Sequence, residues 1–416
     1  YNLALQAMIK DAEVPPCDDE AHGRGGLEEY NTLGYIPWGI PRAGNRTVEY
    51  ALCDYAIATV ARGLGETEIA DKYLRRSENW KNLWRSDYEM DGVKGFIMPR
   101  DAAGNYLDSL VFGHSELRRP KYLYTPTTFE GPWYTKWWSS FFYEASSWEY
   151  SLSIPHDMQG LIQMCGGEQA FRERLDRFFD GGYYNVNNEP SFLTPCLYHW
   201  TDAPQMSSKR VLDIIRNHFG DSPLGLPGND DSGAMSSWLC FHISGLYPLA
   251  GEPVYLIHTP SVRKTVFRLP DGKSFTIEAK GLSDRRTQIR SATLNGKKIT
   301  DFRLSHEDIL KGGKLVLRMG RMKGVSASAE DETEEDTFEV LYDASIFTDD
   351  FEELDVEQKD RESKYLRVNK KVSQSNEILC VLIQKGDMQA KQDLCIKNHG
   401  LVSKEAKKLA RYFGHD

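Results

Sequence analysis

The spacing of apolar residues changes near residue 250, and this change constrains the fold more than any other feature of the 416-residue sequence. Before it, segments such as 48–64 and 66–84 repeat their apolar residues at helical spacing. After it, segments such as 274–279 alternate apolar and polar residues between Asp-Gly and Asn-Gly turns. The sequence therefore predicts a mainly α chain in which helices come first and a small β region follows.

The loops between the predicted helices are long and rich in glycine and aromatic residues, and residues 85–131 are predicted to be irregular. Loops of this length usually carry function. Paired helices with such loops at one end indicate an α/α barrel over residues 1–250, and a small antiparallel β-subdomain is predicted over 251–320. Residues 321–336 are predicted to form an acidic, disordered linker, followed by a mixed, partly disordered C-terminal extension, 337–416.

Composition and charge exclude several classes of function. The net charge of −10, with no dominant basic stripe in the first 320 residues, argues against a nucleic-acid-binding protein. The chain has no run of 18 apolar residues and therefore no predicted membrane span. Its seven cysteines are isolated and match no metal-binding spacing. The sequon Asn45-Arg46-Thr47 is compatible with secretion; the compartment stays unknown, with the secretory pathway favoured.

Two adjacent carboxylates, Asp230 and Asp231, lie in a glycine-bracketed loop directly before an apolar helical segment. Acidic residues before a helix usually cap its free N–H groups, which is the structural alternative for either residue. Only one of the two can cap the helix. The other is therefore a candidate for general-base chemistry.

Three further loops contribute polar and acidic side chains in aromatic surroundings. Glu144 lies in FFYEASSWEY, His156-Asp157 in SIPHDMQGLI, and Asn188-Glu189 in NNEPSF. In a helical barrel these loops can converge with the Asp230-Asp231 loop. Glycoside hydrolysis needs one carboxylic acid to protonate the leaving oxygen and a second carboxylate to activate water or attack the sugar. Remaining oxygen ligands suit a hard cation such as Ca²⁺.

The same loops belong to a series of motifs that occur in one order along residues 1–320. Each motif alone is modest, and the ordered set is specific. The motifs are GRGGLEEYNTLGYIPW (23–38), TVEYALCDYAIA (47–58), RSENWKNLW (76–84), GFIMPRDAAGNY (95–106), YEASSWEYSLSIPHDMQGLI (143–162), NNEP (187–190) and LPGNDDSGAMSSW (226–238). Together they resemble glycoside hydrolase family 92, the calcium-dependent exo-acting α-mannosidases.

The resemblance implies an N-terminal β-sandwich followed by an (α/α)6 barrel with a small β appendage. The chain is expected to begin within the barrel portion, so that the sandwich domain is missing from it. The implied mechanism is single displacement with inversion, in which Glu144 is the general acid. Asp231 is the first choice for the general base and Asp230 the second. Asn188 and Glu189 are the candidate calcium ligands, and the candidate sugar-binding residues are Arg24, Trp148, His156 and Asp157.

Each of these residues has a structural alternative. Glu144 suits an exposed helix position, Trp148 suits a core position, and Arg24 suits an ion pair with a carboxylate at the base of a loop. His156-Asp157 can cap a helix after Pro155, and Asn188-Glu189-Pro190 can form an ordinary turn.

Three functions are compatible with the sequence. The first is an exo-α-mannosidase that uses Ca²⁺ and acts on mannose-containing glycans or oligosaccharides, most plausibly at α-1,2 linkages. The second is a truncated, non-catalytic remnant with at most weak mannose binding. The third is another glycosidase on an (α/α)6 barrel, since one fold supports several specificities.

Overall fold

The structure is a computed structural model that describes residues 1–19, 22–110, 122–127, 141–222, 224–269, 271–321 and 337–341. Residues 1–215, 228–321 and 337–341 belong to one compact unit. Residues 216–227 fall outside that unit and contain a turn closed by a 2.9 Å hydrogen bond from the Gly220 N–H to the Gly225 carbonyl. The predicted acidic linker lies outside the described residues apart from Arg321, as does the C-terminal extension apart from 337–341.

Helices dominate the chain up to residue 245, as their apolar spacing predicts. The longer helices are amphipathic or buried, and several end at glycine. They are α1 (Asn2–Glu13), α2 (Leu27–Leu33), α3 (Ala43–Gly63), α4 (Thr67–Arg76), α5 (Ser147–Tyr150), α6 (Met158–Met164), α7 (Glu168–Asp180), α8 (Gln205–His218) and α9 (Ala234–Ser244). Short 3₁₀ segments cover Asn79–Leu83, Glu189–Ser191 and Thr194–Trp200.

A β-hairpin interrupts the helical region where the sequence predicted irregular structure. Its strands are β1 (Trp84–Met90) and β2 (Val93–Ile97), joined by Asp91-Gly92. Both turn residues have positive φ, 51° and 76°, as a tight hairpin turn between twisted strands requires. The Asp-Gly pair between two alternating segments was the missed signal. Two short strands follow, β3 (Ser109–Leu110) and β4 (Tyr122–Leu123).

The β region predicted after residue 250 is present, but it is not purely antiparallel. Its strands are β5 (Leu246–Pro248), β6 (Val254–Ile257), β7 (Lys264–Arg268), β8 (Ser274–Lys280), β9 (Gln288–Leu294), β10 (Lys297–Ile299), β11 (Arg303–Ser305), β12 (Gly313–Gly320) and β13 (Thr337–Leu341), with α10 (His306–Leu310) between β11 and β12. A six-stranded sheet has the order β10-β9-β12-β8-β7-β13, and a three-stranded sheet has the order β11-β6-β5.

Two pairs in the six-stranded sheet are parallel, β8 with β12 and β7 with β13, so the prediction of an antiparallel subdomain is wrong for them. The chain leaves β8, forms the β9–β10 hairpin, passes through β11 and α10, and returns as β12 between β8 and β9. A crossover of this length allows parallel pairing, whereas a tight turn enforces antiparallel pairing. Residues 337–341 continue the sheet beyond the predicted boundary at 320.

Two of the hydrophobic cores among the described residues stabilise these parts. The larger packs aromatic side chains of the helical region, among them Trp80, Phe96, Phe141, Trp148 and Phe178, all fully buried. The smaller packs one face of the sheet around Phe275, Ile277 and Leu315. A helical region followed by a sheet region is thus confirmed, while closure of an (α/α)6 barrel stays a prediction. None of the helices in the described parts of the chain has the length and apolar character of a membrane span.

Candidate functional site

Glu144 lies on a short segment that joins the aromatic core to α5. The preceding Phe141 is buried in the core, and its carbonyl accepts a 2.8 Å hydrogen bond from the Gly44 N–H at the start of α3. A Cβ atom at Gly44 would lie 2.6 Å from the Phe141 ring, so only glycine permits this contact. Glu144 itself has a φ of 60°, a left-handed conformation that is costly for residues other than glycine. The backbone is therefore bent at Glu144.

The buried carboxylate of Glu149 connects the Glu144 segment to the Glu189 segment. One of its oxygens accepts hydrogen bonds from the Ser146 N–H (2.7 Å) and the Ser146 hydroxyl (2.8 Å), which completes a capping box at α5. The other oxygen accepts a 2.9 Å hydrogen bond from the Ser191 hydroxyl. Burial raises the pKa of Glu149, and the bonds from Ser146 and Ser191 oppose that rise. Glu149 thereby fixes the distance between two loops that carry candidate residues.

Asn188 and Glu189 lie beside Glu144. The Asn188 side-chain N–H donates a 2.7 Å hydrogen bond to the Glu144 carbonyl. Glu189 opens the 3₁₀ turn Glu189–Ser191, and the Phe192 carbonyl that follows accepts a 3.0 Å bond from the Trp238 indole of α9. This contact anchors the Glu189 loop to the helix that follows Asp231.

Asp230 and Asp231 point to different partners. The Asp230 carboxylate accepts hydrogen bonds from the Ser236 N–H (2.7 Å) and the Ser236 hydroxyl (2.8 Å) in the first turn of α9. The N-cap residue is Gly233, and Asp230 satisfies one of the free N–H groups in the first turn of the helix from outside it. Asp231 has a left-handed φ of 41°, and its charge raises the pKa of Glu189. The two loops meet closely, because a Cβ atom at Gly228 would clash with the carbonyl oxygen of Asn187.

We call Glu144, Glu189 and Asp231 the acid cluster. Burial raises the pKa of Glu189, and the nearby charges of Asp231 and Glu144 raise it further. Burial also raises the pKa of the Tyr143 hydroxyl, which hydrogen-bonds with Glu144 and feels the charge of Asp231. These interactions involve one carboxyl from each of three of the four loops that the sequence singled out, and the His156-Asp157 loop is not among them. Such a cluster can donate a proton, accept one, and bind a cation.

Sequence reasoning missed two residues at this cluster. Tyr143 precedes Glu144 within the motif and was not considered separately. The Arg42 guanidinium, at the start of α3, lies 4.2 Å from the centre of the Tyr143 ring. Its positive charge opposes the rise that burial causes in the pKa of Tyr143, in the segment that carries Glu144. Only the fold brings residues 42 and 143 together, so the sequence contains no local signal for this contact.

Arg24 is part of a buried ion-pair network that involves helices α1, α3 and α4. Its guanidinium donates hydrogen bonds to Asp54 (2.7 Å) and Asp11 (3.1 Å). Asp54 also accepts bonds from the Tyr30 hydroxyl (3.0 Å) and Arg76 (2.9 Å). These contacts correspond to the structural alternative for Arg24, an ion pair with a carboxylate.

His156 and Asp157 contact the protein backbone and neighbouring side chains. A ring nitrogen of His156 hydrogen-bonds to the Ser77 carbonyl at 2.9 Å, and burial lowers the pKa of this histidine. The Asp157 carboxylate accepts a 2.9 Å bond from the Gly160 N–H and so caps α6. It also pairs with Lys81 at 2.9 Å. These contacts correspond to the helix-capping alternative.

Trp148 is fully buried in the aromatic core. Its ring stacks on Tyr183 at 4.3 Å and meets Phe96 edge-on at 5.1 Å. The sequon residue Asn45 lies inside α3, and its carbonyl oxygen Oδ1 is buried without a hydrogen-bond partner.

Residues 1–321 match the family model of the glycosyl hydrolase family 92 catalytic domain. The chain belongs to glycoside hydrolase family 92. The family predicted from the ordered motifs is thereby confirmed. A protein of Arthroderma benhamiae, described as an uncharacterized secreted glycosidase, is 36% identical over 341 residues, which cover 77% of this chain and 42% of that protein.

Two solved structures from Bacteroides thetaiotaomicron are also similar. One is a family 92 inverting mannosidase, with a TM-score of 0.66, 29% identity, and coverage of 76% of this chain and 43% of its own. The other is a family 92 α-mannosidase in complex with mannoimidazole, with a TM-score of 0.66, 28% identity, and coverage of 77% and 41%. The chain thus spans less than half the length of these family members.

Proposed function

We propose that this chain carries the catalytic carboxylates of an exo-acting α-mannosidase that hydrolyses α-1,2-linked mannose of glycans with inversion. The observation that carries the proposal is the acid cluster, in which carboxyls from three separate loops interact. Membership in family 92 and the similarity to an inverting mannosidase support this reaction class.

In the proposed mechanism Glu144 donates a proton to the glycosidic oxygen as the bond to the sugar breaks. Asp231 removes a proton from the water that attacks the opposite face of the sugar. Inverting enzymes hold these two carboxyls about 6.5–9.5 Å apart, which leaves room for the water. Tyr143 and Arg42 stabilise the ionised Glu144 that remains after proton transfer. Asp230 holds the start of α9, and with it the backbone of Asp231.

The chemistry of the cluster fits Ca²⁺. The charge of Asp231 raises the pKa of Glu189, and neither residue forms an ion pair with a Lys or Arg among the described residues. A divalent cation would relieve the repulsion between two ionised carboxylates. Glu189 and the Oδ1 atom of Asn188, whose amide N–H is already bound to Glu144, supply the hard oxygen ligands that Ca²⁺ prefers. A bound Ca²⁺ would engage sugar hydroxyls and favour a distorted ring.

The proposal is tested with the full-length protein on α-1,2-mannobiose. Inversion predicts that NMR detects β-mannose first, and α-mannose as the first product would refute it. Faster hydrolysis of α-1,3- or α-1,6-mannobiose would refute the linkage. A calcium chelator is expected to abolish turnover and added Ca²⁺ to restore it, and unchanged activity would refute the role of the cation.

The role of Glu144 is tested by Glu144→Gln, with the exposed Glu168→Gln as the matched control. Loss of a general acid lowers kcat by about 10²–10⁴-fold on mannobiose. An aryl mannoside with an acidic leaving group needs no protonation and should be hydrolysed by the variant at a near-normal rate. Equal losses on both substrates would contradict the assignment.

We also propose that the protein enters the secretory pathway, as the description of the fungal relative suggests. Fractionation of the source cells and their medium tests this, and a purely cytosolic protein would refute it.

A further inference from the structure

A second group of ligand-type side chains lies outside the acid cluster. Cys196 belongs to the 3₁₀ segment Thr194–Trp200, His242 to α9, and His258 follows β6. All three are fully buried. The Cys196 sulfur and one nitrogen from each imidazole lie within 4.8 Å of one another. Positions 196, 242 and 258 follow no metal-binding spacing, because the fold and not a local motif assembles them.

The hydrogen bonds fix which nitrogens carry lone pairs. Nδ1 of His258 lies 3.1 Å from the Thr259 carbonyl, which can only accept, so this nitrogen carries the proton. Nε2 of His258 is then an acceptor, and it takes a 2.8 Å bond from Nδ1 of His242. Nε2 of His242 is left with a lone pair, and this buried atom has no hydrogen-bond partner.

An uncommitted lone pair in a fully buried position is costly unless it is satisfied. The Cys196 sulfur likewise has no hydrogen bond to the described residues, and Cys196 forms no disulfide. One nitrogen and one sulfur of these three residues therefore lack partners. The imidazole of His258 is oriented by the Thr259 carbonyl, as metal-binding histidines usually are.

We propose that Cys196, His242 and His258 form a binding site for a thiolate-preferring d¹⁰ cation, Zn²⁺ or Cu⁺. Thiolate and imidazole are soft or borderline ligands that select these ions and suit Ca²⁺ poorly. Binding forms one metal–sulfur and two metal–nitrogen bonds, breaks the hydrogen bond between Nδ1 of His242 and Nε2 of His258 so that the latter lone pair can bind the ion, and releases the Cys196 thiol proton. Zinc–sulfur and zinc–nitrogen bonds measure about 2.3 and 2.0–2.1 Å, so the donors draw together by about 1 Å.

The metal would join three elements that are distant in sequence. The segment 194–200 follows the Glu189 loop, and α9 follows Asp231. The cation would therefore link the segment 194–200 to α9, the elements that follow Glu189 and Asp231, without contacting either acid. Its role would be structural, and the inference does not depend on the mannosidase proposal. Because the site is closed to solvent, the ion must enter while the chain folds.

The test refolds the full chain with Zn²⁺ or with Cu⁺ under reducing conditions, followed by desalting and elemental analysis. About one equivalent of one ion is expected in the wild type. The ion that is retained distinguishes the two arms. Refolding with Co²⁺ should also produce a thiolate-to-cobalt charge-transfer absorption. With free metal about 1,000-fold above the Kd, the thermal midpoint should rise by about 8 °C.

Cys196→Ser should weaken binding by at least about 100-fold and abolish the charge-transfer band. Cys53→Ser, at an exposed cysteine, is the matched control and should bind like the wild type. If Cys196→Ser does not fold, His258→Gln removes one nitrogen ligand and serves the same purpose. Absence of stoichiometric metal in both arms, or equal binding by Cys196→Ser, would overturn the proposal. None of these measurements uses hydrolytic activity, so failure of the mannosidase proposal would leave them unaffected.

Discussion

The adjacent carboxylates Asp230 and Asp231 are expected to respond in opposite ways to the same substitution. Asp230 holds the first turn of α9 by accepting two hydrogen bonds from Ser236, whereas Asp231 is exposed and its charge raises the pKa of Glu189. Replacement of either by Asn removes one charge and preserves the shape of the side chain. The pair therefore forms its own matched control, and the two readouts are turnover and thermal stability.

The magnitudes follow from the contacts. Asp230→Asn keeps an oxygen that can accept from the Ser236 N–H, so the expected loss of unfolding free energy is about 1 kcal/mol. Asp230→Ala removes both bonds from a half-buried carboxylate and should cost about 2 kcal/mol, or about 4 °C in a domain of this size. Both variants should retain kcat within about tenfold, below the loss that removal of a general base produces.

Asp231→Asn should lower kcat by about 10²–10⁴-fold, because the amide cannot accept the proton of the attacking water. Its stability should stay near that of the wild type, since Asn tolerates the left-handed backbone and removes a like charge beside Glu189. Circular dichroism melts and mannobiose hydrolysis measure both quantities on the full-length protein. The reasoning would fail if Asp230→Asn lost catalysis with unchanged stability while Asp231→Asn remained active.

Three further outcomes are expected. Asp54→Asn should lower the unfolding free energy by about 3–5 kcal/mol in urea titrations, because Arg24 and Arg76 lose a buried partner. The exposed Asp71→Asn is the control. A loss below about 1 kcal/mol for Asp54→Asn, roughly that of a surface pair, would contradict the buried network. Burial raises the pKa of Glu13, but the interactions with Lys72, Tyr73 and Arg76 outweigh burial and hold that pKa below 4.5. The ionised Glu13 therefore stabilises the fold above pH 4.5, and this stabilisation is lost as the pH falls through the pKa of the folded state. Urea unfolding from pH 7 to pH 3 should show a shallower acid loss in Glu13→Gln, and an identical acid loss would refute this role. Gly228→Ala should lower kcat by about 10²-fold, because the added Cβ atom displaces the Asn187 backbone. Gly63→Ala, whose Cβ atom meets open space, should leave kcat unchanged. Equal rates for both variants would show that the close approach of Gly228 to Asn187 is irrelevant to catalysis.

Local patterns predicted the elements, and long-range contacts decided the roles of side chains. The helical spacing of 48–64 and the alternation at 274–279 correspond to α3 and β8. The parallel pairing of β8 with β12 could not be predicted, because it depends on a crossover whose path no local pattern encodes. The Asp91-Gly92 hairpin was predictable in principle, since its turn residues carry the usual signal.

The candidate site shows the same division. Sequence order indicated which loops carry the acids, and Glu144, Glu189 and Asp231 do interact. The difference between Asp230 and Asp231 depends on the position of the Ser236 hydroxyl, which the sequence does not specify. An arginine such as Arg24 is suited either to sugar binding or to an ion pair. Only its contact with Asp54, 30 residues away, distinguishes these two roles.

At Glu144 and Asp231 the backbone is left-handed, so the side chains proposed to be catalytic lower the stability of the fold at these two positions. Such a conformation costs a residue with a Cβ atom about 1–2 kcal/mol, and glycine avoids that cost. Glu144→Gly is therefore a substitution that removes the proposed acid and relieves strain. A lineage released from selection for hydrolysis would gain stability by drifting toward glycine at both positions. Selection for catalysis would keep carboxylates at these two positions although glycine would make the folded chain more stable.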